Sequence, residues 1–158
     1  MTAPVPTVRV VPDGLKLEDG FPTKMTFSLD PNINVWEKMV TPPGYDAGEK
    51  INITTMWNTT FRTYACRQLI DVTDMNLAGA YDPNVYPQIQ AVLGKAQTIT
   101  ITFPNRDTLC FYGVLKDFKP GSLEEGKFPD CQLTVYATNV DPVTGDEESP
   151  VYTEFVAP

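Results

Sequence analysis

One residue in four of this chain is β-branched: 19 Thr, 15 Val and 7 Ile among 158 residues. Such side chains fit the pleated, half-buried surface of a sheet better than a helix. Fifteen prolines, about twice the usual share, interrupt the chain. Because proline lacks a backbone donor, it is confined to turns and strand edges. The sequence therefore predicts one mainly β domain with many turns.

Composition excludes several classes of function. The chain has no histidine, so Ser-His and Cys-His nucleophiles and His-bearing metal sites are ruled out. Its formal net charge of −8 disfavours duplex DNA binding, which needs clustered Lys and Arg. Cys66, Cys110 and Cys131 are too widely spaced for a CxxC motif and indicate a reduced compartment. With neither a signal peptide nor a long apolar run, we expect synthesis in the cytoplasm and no membrane segment.

Alternating side chains predict the main strands. Residues 24–29 alternate strictly and place Met25, Phe27 and Leu29 on one face. We expect them to form a hairpin with 33–40, with Trp36 in the core. Residues 98–103 alternate as cleanly. Residues 109–118 are apolar on both faces, which indicates a central or covered strand, and we expect them to pair with 128–137.

The other segments complete a β-sandwich or barrel. A short flanking helix is predicted over about 83–94, capped by Asp82 and ended by Gly94. Residues 41–64 form a long loop excursion whose aromatic, almost uncharged second half is either exposed or packed as strands in the core. We divide the chain into an extended N-terminal arm (1–13), a β domain (14–139) and an acidic, Pro-rich C-terminal tail (140–158) that is extended or mobile.

No catalytic, cofactor-binding or metal-ligating set emerges from the sequence. The neighbouring Glu124 and Glu125 cannot face each other across a substrate. The acidic turn 141–148 resembles a calcium loop only loosely and matches no EF-hand spacing. Trp36 and Trp57 could stack on sugars, so a monomeric carbohydrate-binding β-sandwich is one alternative. We expect no enzyme activity and no cofactor.

What remains are surfaces suited to assembly. Several strands carry neutral hydroxyl or amide side chains opposite their core face, as Thr26 and Ser28 do and as Thr98, Thr100 and Thr102 do. Such faces can pack against another subunit or line a wet channel. The excursion offers reach beyond the domain.

Four segments in order resemble the major tail tube proteins of long-tailed (siphovirus-like) bacteriophages. They are GLKLEDGFPTKMTFSLDP (14–31), VWEKMVTPPGYDAGEKINITTMWNTTFRTYACRQL (35–69), AYDPNVYPQI (80–89) and ITFPNRDTLCFYGVLKDFKPGSLEEGKFPDCQLTVYATN (101–139). The resemblance rests on the run of segments, since none is a chemical signature, and covers roughly residues 14–139.

The resemblance implies a structural virion protein in the tail, made in the host cytoplasm. Copies would form stacked, hexameric rings, with the tape-measure protein and other tail proteins as partners, and DNA would pass through the lumen without specific binding. The implied inter-subunit and inter-ring contacts fall on Thr41, Pro42, Pro43, Tyr45, Asp46, Glu49, Met56, Trp57, Phe61, Arg62 and Tyr64. The candidate lumen face is Thr26, Ser28, Thr98, Thr100 and Thr102. A tail terminator or a type VI secretion-like tube protein is the related alternative.

Overall fold

The chain is built from short strands and one longer strand. The computed structural model describes residues 23–33 and 35–158, so the proposed N-terminal arm (1–13) lies outside the described residues. The elements are β1 (Lys24–Phe27), β2 (Trp36–Thr41), β3 (Tyr45–Asp46), β4 (Ile51–Asn52), β5 (Tyr64–Ala65), β6 (Asp71–Val72), β7 (Met75–Ala80), α1 (Tyr86–Val92), β8 (Ala96–Thr102), β9 (Thr108–Pro120), β10 (Asp130–Ala137) and β11 (Val151–Thr153).

Seven of the strands form one antiparallel sheet. Its order is β1-β8-β9-β10-β7-β2, and β11 joins the first residues of β9, beyond the end of β10. The two outer strands approach each other, since the backbone N–H of Met25 donates to the Glu37 carboxylate at 2.9 Å. The sheet therefore curls towards a barrel, which the twist of antiparallel strands favours. The predicted mainly β fold is confirmed.

The core lies on the concave side of this sheet. Ile99 and Ile101 of β8 are completely buried, and Leu115 of β9 is buried with them. The inward positions predicted for Met25 and Phe27 are confirmed, and Leu133 and Val135 of β10 are also buried. Leu29 is half exposed because it follows the last residue of β1, where the alternation no longer holds.

The flanking helix is shorter than its predicted range. Pro87 occupies the first turn of α1, where its missing N–H costs no hydrogen bond. Asp82 does not cap the helix. Instead its Oδ1 accepts the N–H of Asn84 at 2.9 Å within the preceding turn. Gly94 follows with a φ of +73°, a conformation that glycine adopts without strain. Ile89 and Val92 bury the helix against the core.

Two sequence predictions about β2 are wrong. β1 pairs with β8 and β2 pairs with β7, so residues 24–29 and 33–40 form no hairpin. Trp36 is 64% exposed and does not enter the core. A bulge between Glu37 and Met39 breaks the alternation of β2, and Trp36 lies beside Ala80 on the outer face.

The predicted pairing of residues 109–118 with residues 128–137 is confirmed. The ladder between β9 and β10 begins with the pair Pro120 and Cys131 and ends with the pair Gly113 and Ala137. A bulge between Thr134 and Val135 shifts the ladder. Cys66, Cys110 and Cys131 are free thiols.

The C-terminal segment is docked on the sheet, partly as the extended strand β11. The buried carboxylate of Asp107 accepts the hydroxyl of Tyr152 and, at 2.8 Å, the N–H of Phe155. These two hydrogen bonds to the charged form hold the pKa of Asp107 below its ordinary value. Arg106 lies over the Phe155 ring at 5.2 Å. Together with the β9–β11 ladder, these contacts fix the tail to the sheet.

Candidate interaction surfaces

The connection from β2 to β7 is a projecting arm, residues 42–74. It begins where the sequence predicted and continues past residue 64 to the start of β7. Two short ladders tie its outgoing and returning halves together, β3 with β6 and, further out, β4 with β5. The arm is therefore an interrupted two-stranded ribbon that prolongs the β2–β7 pair beyond the sheet.

Polar contacts hold the arm together, without a core of its own. At its base, Gly44 and Thr73 exchange two hydrogen bonds of 2.7 and 2.9 Å. Further out, Arg67 donates to the backbone oxygen of Glu49 at 3.0 Å. The Lys50 ammonium lies 3.9 Å from the centre of the Tyr64 ring. An isolated two-stranded ribbon is marginally stable in water, so these contacts matter for its shape.

The tip of the arm is an ordered turn. The N–H of Thr63 donates to Thr54 Oγ1 at 3.0 Å, and the N–H of Ile53 donates to the carbonyl of Thr63 at 3.0 Å. Asn58 closes the turn, because its Oδ1 accepts the N–H of Thr55 at 2.8 Å. Its side chain thus has a structural role in the turn.

The tip exposes large apolar side chains. Met56 and Trp57 are 103% and 92% exposed, and Phe61 is 80% exposed. No residue of the arm is buried, and the second possibility for this segment, strands packed in the core, is ruled out. Monomeric soluble proteins rarely leave large contiguous apolar patches uncovered, so the tip is a candidate interaction surface.

All residues predicted for contacts between subunits lie on this arm or at its base. Thr41 ends β2, and the others follow in order: Pro42, Pro43, Tyr45, Asp46, Glu49, Met56, Trp57, Phe61, Arg62 and Tyr64. Sequence reasoning missed Leu69 and Ile70 on the returning half, which are 84% and 58% exposed. No local signal in the sequence distinguishes this exposed apolar pair from the start of a core strand.

A cleft lies at the base of the arm. It has a volume of about 280 Å³ and separates the returning half, at Leu69 and Ile70, from the tail segment 147–150. Tyr45 also lines it. The arm base and the C-terminal tail are therefore neighbours at the same end of the sheet.

The five predicted lumen residues come together on the outer face of the sheet. Thr26 is opposite Thr100 in the β1–β8 ladder. Ser28 and Thr98 exchange hydrogen bonds of 3.0 Å just beyond it. Thr102 lies opposite Lys24 and, in the β8–β9 ladder, opposite Thr108.

This outer face is uncharged over two strands. The outward residues of β8 are Ala96, Thr98, Thr100 and Thr102, and those of β9 up to its middle are Thr108, Cys110, Tyr112 and Val114. Thr100 and Cys110 contact each other through Oγ1 and Sγ at 3.4 Å. The outward side chains of β8 and of the first half of β9 offer hydroxyl groups and no cation that would bind a polyanion, whereas Lys24 of the neighbouring β1 lies opposite Thr102.

The acidic turn 141–148 is organised by its own hydrogen bonds. Asp141 Oδ1 accepts the N–H of Val143 at 2.8 Å, and Oδ2 accepts the hydroxyl of Tyr112 at 3.3 Å. The first of these contacts lowers the pKa of Asp141, and the Asp141 charge raises the pKa of Tyr112. Across residues 23–33 and 35–158 no cluster of three potential metal ligands is found.

The loop between β9 and β10 forms the opposite end of the molecule. Residues 121–129, here called the far loop, expose Leu123 and Phe128 at 73% and 89%. Glu124 binds Lys127 at 2.8 Å. Glu125 has no ion-pair or hydrogen-bond partner in the described part of the chain.

In the described residues no helix has the length and apolar character needed to cross a membrane. No model of a known protein family matches the sequence, and no curated protein is significantly similar to it.

Solved structures nevertheless share the fold. A chain of the virion of a native gene transfer agent particle superposes with a TM-score of 0.61 at 10% identity, over 87% of this chain and 99% of that one. A chain of the six-fold symmetrised anti-feeding prophage baseplate matches with a TM-score of 0.56 at 10% identity, over 84% and 91%. A chain of the tail of an empty gene transfer agent particle, refined with C6 symmetry, gives 0.52 at 10% identity, over 75% and 83%. The chain therefore has the β fold found in these tail and baseplate assemblies.

Proposed function

We propose that this protein is a structural, non-enzymatic subunit of a phage-type tail tube. Copies associate into rings, and the rings stack into a hollow tube that conducts the genome during ejection. The arm is the observation that carries the proposal. It projects from the sheet, buries none of its side chains and presents Met56, Trp57 and Phe61 at its tip. A segment of this kind is explained by a partner that covers it.

The shared fold supports the same proposal. The gene transfer agent chain is matched along almost its whole length, so the likeness concerns a complete subunit and not a common substructure. Two of the similar structures are described with six-fold or C6 symmetry, which supports six copies in each ring. In that setting the protein belongs to the virion tail, is synthesised in the host cytoplasm and also contacts the tape-measure protein and other tail proteins.

The uncharged outer face of β8 and β9 suits the lumen of such a tube. Lysine and arginine side chains would hold the phosphates of passing DNA, whereas threonine hydroxyls would not. We assign Thr26, Ser28, Thr98, Thr100 and Thr102 to this lining. An overall net charge of −8 also disfavours retention of DNA.

Electron microscopy of the purified protein, together with its light-scattering mass over a concentration series, tests the proposal. We expect rings or hollow tubes above a threshold concentration. A variant in which residues 47–70 are replaced by Asn-Gly keeps the β3–β6 pair, because Asp46 and Asp71 are direct partners and a two-residue turn can join them. This variant should stay folded and fail to form tubes.

The carbohydrate-binding alternative makes the opposite prediction. Trp57 is fully available on the arm and Trp36 is 64% exposed on the sheet, so both rings could stack on sugars. A protein that stays monomeric at every concentration and binds in a glycan screen would support this alternative and contradict the tube proposal.

A further inference from the structure

The strand register places the arm and the far loop at opposite ends of the molecule. Thr41, Asn76 and Thr134 lie side by side at one end, where the arm leaves the sheet. Trp36, Ala80 and Asp130 lie side by side at the other, where the far loop begins. The two rows are four residue steps apart along β7, which spans about 13 Å. The arm therefore leaves the sheet at the end opposite the far loop of the same copy.

The tip combines apolar area with a single positive charge. Met56, Trp57 and Phe61 are almost fully exposed. Arg62 is the one charged residue between positions 51 and 65. It has no ion-pair or hydrogen-bond partner within residues 23–33 and 35–158. Arg62 follows Phe61 directly in the sequence, and arginine and tryptophan are the residue types that most often anchor protein interfaces.

The far loop has the complementary character. Leu123 and Phe128 offer exposed apolar side chains, and the adjacent Glu124 and Glu125 offer negative charge. Lys127 compensates Glu124 through the 2.8 Å contact. The carboxylate of Glu125 is left to receive a cation from another molecule.

We propose that the arm tip of one copy docks onto the far loop of the next copy. Arg62 binds Glu125, and the apolar side chains of the tip cover Leu123 and Phe128. This docking rests on the proposed function and names the partner surface of the arm. The two complementary surfaces lie at opposite ends of one chain, so the contact is head to tail and repeats without closing. A stack of subunits along one axis follows from it.

Charge reversal tests the docking. Arg62→Glu should raise the protein concentration needed for tube formation about tenfold, since like charges would then face each other. Glu124→Arg with Glu125→Arg should do the same from the other side. The matched control is Asp146→Arg with Glu154→Arg, two exposed carboxylates that lie outside the arm, its cleft and the far loop. The control should assemble at the wild-type concentration. Circular dichroism would verify that each variant is folded.

Mixing the two defective proteins gives the sharpest result. The Arg62→Glu copy has a negative tip and a negative far loop, and the other variant has a positive tip and a positive far loop. Copies that alternate in a stack would therefore be complementary at every contact. We expect tubes from the equimolar mixture at near wild-type concentration, a rescue that misfolded proteins could not produce.

The remaining outcomes separate the two proposals. Wild-type protein that forms no tubes would overturn the proposed function and this docking together. Wild-type tubes combined with unaffected charge-reversed variants, or with a mixture that does not recover, would overturn the docking alone.

Discussion

Replacing Trp57 by alanine should separate assembly from folding. Trp57 is 92% exposed and contributes nothing to the core of the subunit. Exposed substitutions of this kind change stability by no more than about 0.5 kcal/mol. In a tube the indole ring of Trp57 would be covered by a neighbouring copy. A tryptophan side chain buries on the order of 200 Å², which at ~25 cal/mol per Å² sets an upper limit of roughly 4–5 kcal/mol for its contribution to one contact.

The free energy of contact expected to be lost in Trp57→Ala is smaller than this limit and still large. Part of the gain on burial is offset by the cost of ordering the arm. Aromatic anchors commonly lose at least about 2 kcal/mol on truncation, which corresponds to a roughly 30-fold higher concentration for assembly. The opposite pattern is expected for Phe27, which is 1% exposed. Phe27→Ala should destabilise the folded subunit by about 3–5 kcal/mol.

The assay pairs thermal unfolding with a sedimentation or light-scattering measurement of the critical concentration. Val143→Ala is the control, since Val143 is 91% exposed and lies outside the arm. It should behave as wild type in both measurements. Two results would refute the reasoning: Trp57→Ala assembling at the wild-type concentration, or Trp57→Ala melting at a clearly lower temperature.

Three further predictions concern the C-terminal tail of the chain, the sheet and the candidate lumen face. Asp107 has a lowered pKa in the folded state, so its contribution to stability is complete above about pH 4 and is lost as the pH falls through that lowered pKa. Asp107→Ala should increase amide hydrogen exchange at residues 151–155 at neutral pH. Unchanged exchange would show that other contacts hold the C-terminal tail. A Cβ on Gly79 would lie 2.7 Å from the backbone oxygen of Trp36. Gly79→Ala should therefore lower the free energy of unfolding, measured by chemical denaturation, by about 1–3 kcal/mol. Gly44→Ala should not, since the nearest atom to a Cβ there is 3.5 Å away. Replacing Thr98, Thr100 and Thr102 by lysine should permit assembly and slow genome ejection, and normal ejection kinetics would remove this face from the lumen.

The sequence predicted those features that depend on local alternation. Strict alternation in β8 is enough to put Ile99 and Ile101 on the inner face and Thr98 and Thr100 on the outer face, whichever strands pair with it. The candidate lumen face was found for the same reason. The aromatic, uncharged composition of the arm likewise indicated an unusual segment.

Features that depend on distant partners were not predictable in this way. β2 pairs with a strand that arrives only after the whole arm, and nothing in residues 33–40 specifies β7 over β1. The bulge at Glu37 and Met39 turns Trp36 outward, although a tryptophan on a strand is usually buried. The docking of the tail depends on Asp107, a turn residue whose role is visible only when Tyr152 lies beside it.

The attachment of the arm has a consequence for how such subunits can diverge. The arm connects Thr41 and Asn76, which are already paired in the β2–β7 ladder. The arm therefore affects the stability of the sheet only through the entropy cost of joining those two residues by a loop. That entropy changes slowly with the length of the connection, by about 0.6 kcal/mol for each doubling. The connection could therefore be lengthened, shortened or replaced in sequence at little thermodynamic cost to the barrel. One scaffold of this type can carry connections of very different reach, and the spacing and specificity between neighbouring copies can change while the subunit itself stays the same.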